Sequence, residues 1–130
     1  MDCPDCGSAT VSFAVPDDLR ADLPGGEAGV ALCSSCLALH PVTDPPTDEP
    51  DLQTISDAFP SSPDAAVPMA LVVGLLSSLA LYRSEVSDLL GRVERAGTDP
   101  LLVLDRLAED PVLAPAVDLH RRRHQLEQLL

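Results

Sequence analysis

Two cysteine pairs with the same internal gap, "CPDCG" at Cys3 and Cys6 and "CSSC" at Cys33 and Cys36, restrict this chain more than any other feature. A C-x2-C turn aims two thiolates at one point, and two such turns can close a tetrahedron around a metal ion. Gly7, directly after Cys6, relieves the tight backbone of the first turn. The 26 residues between Cys6 and Cys33 require a hairpin with a long loop, for which "DDLRADLPGG" is available. One zinc ion per chain, held by Cys3, Cys6, Cys33 and Cys36, is the expectation. Free or regulatory cysteines and a redox dithiol are the alternatives, although neither pair sits in the strand-to-helix setting of a thioredoxin-type dithiol. The opening Met1-Asp2-Cys3 lacks the charged start and apolar run of a secretory signal, so a reducing cytoplasm is expected, where stable disulfides are rare.

Around the cysteines the pattern is that of strands. Val11, Phe13 and Val15 alternate with smaller or polar residues until Pro16. "PGGEAG" then supplies a turn, Val30 and Leu32 resume an extended segment, and Leu37, Leu39 and Val42 allow a third strand. Residues 1–42 therefore read as a small zinc ribbon. Residues 43–66 contain six acids, no base and prolines at 45, 46, 50, 60 and 63, which exclude a long helix or a central strand. This acidic linker is expected to dock in part, because Leu52, Ile55 and Phe59 have helical spacing and a free tether would not carry them.

Residues 67–130 read as helical. Between Pro68 and Gly97, apolar residues at 72, 75, 79, 82, 86, 89, 93 and 96 recur at steps of three and four. This predicts one helix of about 29 residues, roughly 43 Å long, with a coiled-coil-like seam. Asp99-Pro100 starts a second helix, Asp110-Pro111 offers another start, and a last helix is expected from near Pro115 to the end. The fold class is thus α+β, a β ribbon followed by a helical hairpin or bundle. Leu71, Val73, Leu76 and Leu81 lie off the seam, so the long helix needs further neighbours, and a homodimer is expected to supply them. The apolar run at 67–82 is too short to span a membrane, which takes about 20 residues.

Charge narrows the function classes. Asp and Glu total 21 against 8 basic residues, all of them arginine, giving a net charge of -13. A lysine-free acidic surface of this kind stays soluble where salt screens repulsion, so a halophilic source is expected. The same charge disfavours nucleic acid, because the ribbon segment holds six acids against Arg20 alone. The only basic run, Arg121, Arg122 and Arg123 before His124, is expected to pair with Asp118 and Glu127 on its own helix. His40, four residues after Cys36, reads as a surface or strand-end histidine, since four cysteines already fill a tetrahedron. No phosphate-cradling glycine loop, nucleophile elbow or His-Glu metal motif marks an enzyme.

"CPDCG" resembles one knuckle of the rubredoxins, which hold iron; "CSSCL" departs from that pattern and Phe13 is the only aromatic of residues 1–42. Taken with the acidic surface and the tail "GTDPLLVLDRLAEDP...DLHRRRHQLEQL", the two pairs resemble an uncharacterised family of small haloarchaeal zinc-ribbon proteins along nearly the whole chain. That resemblance implies zinc on the four cysteines and no activity. The expected function is a non-enzymatic adaptor or regulator working through protein contacts. A nucleic-acid-binding ribbon and a thiol redox or metal-handling protein are the alternatives.

Overall fold

In the computed structural model, which describes residues 2–129, the N-terminal part is a three-stranded antiparallel sheet in the order β1-β2-β3. Met1 and Leu130, the ends of the first and last segments anticipated from sequence, lie outside the described residues. The alternating stretch forms β1 (Thr10–Ala14), which pairs with β2 (Gly29–Cys33) so that Thr10 faces Cys33 and Ala14 faces Gly29. β2 is buried at every position because it lies between β1 and β3 (Leu39–Pro41). The long loop between the first two strands holds a 3-10 turn at Asp17–Asp22, which inserts Leu19 into the core.

The acidic proline-rich segment is packed where its apolar residues fall. A 3-10 turn at Leu52–Thr54 starts under a cap from the Asp51 side chain, and Leu52, Ile55 and Phe59 are all buried. Ser56 is the buried polar residue of this stretch, and its hydroxyl donates to Asp110 Oδ2 at 2.6 Å. The amide of Val112 donates to the other oxygen of Asp110. These two bonds, Ser56 first, hold the Asp110 carboxyl below its ordinary value of 3.8. A carboxylate with a depressed folded pKa stabilises the fold above the unfolded value and loses that contribution as pH falls through the folded one. Asp110→Asn is therefore expected to flatten the loss of stability between about pH 4 and lower values, read from urea midpoints along an acid series.

The helical part departs from the single 29-residue helix. α1 (Pro63–Leu75) gives way to a 3-10 turn at Leu76–Ser78, and α2 (Arg83–Arg95) follows. α1 is apolar on all sides, so a continuous extension would have left most of it in water. The reversal instead lays α2 against it, with Val86, Leu89, Leu90 and Val93 buried at steps of three and four. The start also moves, from Pro68 to Pro63, inside the segment read as linker: Pro63 occupies the first turn, where a missing amide costs nothing, and Pro68 is carried within the helix. Leu71, Val73 and Leu76 are buried within the chain itself, and of the four off-seam residues only Leu81 is exposed. Three of the four residues behind the homodimer expectation thus find neighbours within the chain, and Leu81 does not.

α3 (Pro100–Glu109) begins as its sequence requires, with Asp99 accepting from the amides of Leu101 and Leu102. Asp110-Pro111 does not start a helix; the Asp110 side chain folds back on Val112 in a turn. α4 (Leu119–Glu127) starts later than Pro115 and is capped by Asp118, which accepts from the Arg121 amide rather than pairing with a guanidinium. α3 packs on α4, and one continuous core runs from Phe13 and Leu52 through Leu71 and Leu90 to Leu126. α1 also rests on β3, where Gly74 lets the two backbones approach: a Cβ there would stand 2.5 Å from Leu39 Cβ. Among the described residues no helix is long and apolar enough to cross a membrane.

Candidate metal centre

The sheet brings the two cysteine turns to one end. Cys33 closes β2 opposite Thr10, and Cys3 and Cys6 precede β1, so pairing of the strands stacks one turn over the other. The Ser34 amide and hydroxyl both donate to the Ala9 carbonyl, fastening the second turn to the chain leaving the first. Each turn closes on itself: the Gly7 amide reaches the Cys3 carbonyl at 2.8 Å, and the Cys33 amide reaches the Ala38 carbonyl at 2.9 Å. The residue after the second cysteine lies in the left-handed region in both, Gly7 at φ 80° and Leu37 at φ 64°.

All four Sγ atoms lie within 4.8 Å of one another. The sulfurs meet across the pairs, Cys3 to Cys36 at 3.7 Å and Cys6 to Cys33 at 3.4 Å. An ion held tetrahedrally by metal–sulfur bonds of about 2.3 Å keeps its sulfurs about 3.8 Å apart, so the four thiols fit a single ion. Contact across the pairs also distinguishes the site from two separate C-x2-C dithiols. Cys33 Sγ accepts from the amides of Ser35 and Cys36, both at 3.4 Å, which offsets part of the charge four thiolates would place around a dication.

Burial and hydrogen bonding divide the thiols. Hydrogen bonds from the Ser8 side chain and backbone, then from Cys33, pull the exposed Cys6 thiol down to about 6. Burial pushes the Cys36 thiol up to about 12. Metal ligation requires thiolates, so loading the centre displaces the proton that burial holds on Cys36.

Three features of the centre were not evident from residue type alone. His40, the middle residue of the edge strand β3, brings Nε2 within 3.5 Å of Cys3 Sγ and 3.8 Å of Asp5 Oδ2. It is neither the surface nor the strand-end residue expected: it is mostly buried within β3, and it touches a cysteine. Leu37 adopts a glycine-like φ because its side chain is anchored in the core. The chain between α3 and α4 is fixed to the second turn, the Ala114 amide donating to the Ser35 carbonyl at 2.9 Å and the Ala116 amide to Cys36 at 3.1 Å. Leu37→Gly relieves about 1 kcal/mol of backbone strain and removes a buried leucine worth about 2–5 kcal/mol. The variant should be the less stable protein, as read from denaturant midpoints.

Several of the arginines are taken up by partners of their own. Arg20 pairs with Asp17 and donates to the Val15 carbonyl, and Arg92 pairs with Asp18. Arg123 lies between Asp105, at 2.8 Å, and Glu127, while Arg122 donates to Gln125.

A small antiparallel sheet carrying a four-cysteine candidate metal centre, continued by a helical region, defines an α+β protein of the cysteine-ribbon kind. The chain belongs to the Family of unknown function (DUF6276), whose model matches residues 2–130. No curated protein and no solved structure gives a match.

Proposed function

We propose that this chain is a non-enzymatic adaptor or regulator whose ribbon is held by one structural zinc ion and whose surface serves protein–protein contact. The observation that carries the reading is the donor set: four protein sulfurs at tetrahedral spacing leave no coordination position for a substrate or an activated water. Zinc suits an all-thiolate tetrahedron and brings no redox chemistry of its own. The ion would fix more than the ribbon, because the second turn also holds the 114–116 segment, two residues beyond the exposed Val112. The acidic ribbon and the ion pairs of Arg20, Arg92 and Arg123 oppose a nucleic-acid partner.

Metal analysis coupled to light scattering in molar potassium chloride tests the reading, with one zinc per chain expected to survive extensive dialysis. A folded protein purified without any metal would overturn it. The mass from the same run counts the copies, and a protein partner or a second copy would then be sought on the metal-loaded form. Hydrogen exchange provides a further check: chelation is expected to raise exchange at Ala114 and Ala116 together with Cys33 and Cys36.

A further inference from the structure

We propose that a second divalent cation binds beside the four-sulfur centre, held by Cys3, Asp5 and His40, with the Cys3 thiolate bridging the two ions. The inference rests on the four-thiolate reading above and extends it. Cys3 Sγ, Asp5 Oδ2 and His40 Nε2 all lie within 4.8 Å of one another. A thiol sulfur at 3.5 Å and a carboxylate oxygen at 3.8 Å both face the same ring nitrogen. An imidazole nitrogen has one lone pair or one proton to offer, so it cannot serve both partners well. A cation among the three atoms serves all of them.

The spacing fits such an ion. Metal–sulfur bonds of about 2.3 Å and metal–nitrogen bonds of about 2.0–2.1 Å at a tetrahedral angle place S and N about 3.5 Å apart, which is the Cys3 to His40 distance. One sulfur, one imidazole and one carboxylate form a borderline set that suits a zinc-class dication. Four thiolates around one dication carry two excess negative charges; a second dication with Asp5 reduces the excess to one. The fold fixes the geometry, because Asp5 sits inside the first cysteine turn and His40 is held on β3 opposite Ala31.

The two ions would differ in exchange. Asp5 is two-thirds exposed, and a cavity of about 180 Å³ lies beside Asp5, Cys36 and His40, so the fourth position opens to water. The first ion would be held by four sulfurs, three of them from buried cysteines; the second is the one that exchanges.

Equilibrium dialysis of the reduced, metal-stripped full chain against cadmium tests this, in molar potassium chloride with excess magnesium to occupy surface carboxylates. Two cadmium ions per chain are expected, and Asp5→Asn and His40→Gln should each lose the second while keeping the first. Asp5 is exposed, so its variant reports even if His40→Gln perturbs the strand. Cadmium-113 NMR should show two signals in the natural chain, both coupled to the Cys3 β-protons. One cadmium per chain would overturn the proposal, leaving the His40 to Cys3 contact as a hydrogen bond. A second ion retained equally by both variants would also overturn it, by placing that ion elsewhere. Binding of no cadmium at all would sink the four-thiolate reading and this proposal with it.

Discussion

Cys33→Ser is expected to strip the chain of its structural cation and lower its melting temperature by more than about 10 °C. Cys33 is fully buried and accepts two backbone amides, so its loss removes a ligand and disturbs the turn together. Little apolar packing stands in reserve: the buried cluster at this end consists of Cys3, Cys33 and Cys36, with Ala38 against it. Structural zinc in small domains contributes roughly 10–16 kcal/mol of apparent binding energy, and a three-ligand site retains only part of it. In a chain of this length each kcal/mol moves the melting temperature by about 2–8 °C, so even a loss of about 4 kcal/mol is readily measured. Calorimetry of both proteins at matched salt, with metal analysis of the same samples, checks the prediction. An unchanged melting temperature would mean that the strands hold the turns without the ion.

Phe59→Ala should cost about 3–5 kcal/mol, a large share of the 5–15 kcal/mol that usually separates folded from unfolded domains. Phe59 is 1% exposed and joins the same core as Leu52 and Leu90. Its neighbours in sequence are prolines and carboxylates, which by composition alone describe a tether. The two descriptions differ by an order of magnitude in cost, since a surface aromatic on a free linker would change stability by at most about 0.5 kcal/mol. Urea unfolding of the variant separates them.

The parts legible in sequence are those where residue type and spacing carry the physics directly. The repeated C-x2-C gap located the four sulfurs, the alternation from Val11 to Val15 located β1, and Asp99-Pro100 located the start of α3. Leu52, Ile55 and Phe59 declared their burial by being apolar in a segment that otherwise avoids apolar residues. The turn between α1 and α2 was not legible. Residues 72, 75, 79, 86, 89 and 93 keep helical steps because both helices face one core, and periodicity does not register a reversal of direction. No proline or glycine marks the break at Leu79 to Tyr82.

Pro68 looked like a start because proline suits a first turn, yet Pro63 suits it as well and brings Ala65 and Ala66 into the core. Asp118 was read as an ion-pair partner from its distance to Arg121 and Arg122, whereas an aspartate directly before a helix satisfies a free amide first. His40 came beside Cys3 through the β2-β3 register, which local spacing does not encode. Leu37 gave no sign of its left-handed backbone, since that conformation is imposed by the pocket that receives its side chain.

The bonds from Ala114 and Ala116 to the second cysteine turn fasten the link between α3 and α4 to a part of the sheet that lies far away in sequence. A contact between residues so far apart in sequence is costly to close and forms after the local turns and helices on either side of it. Until it forms, the carbonyls of Ser35 and Cys36 face water and the second turn has only its own sheet to hold it. A chain cut short before Ala114 would keep that turn permanently unfinished.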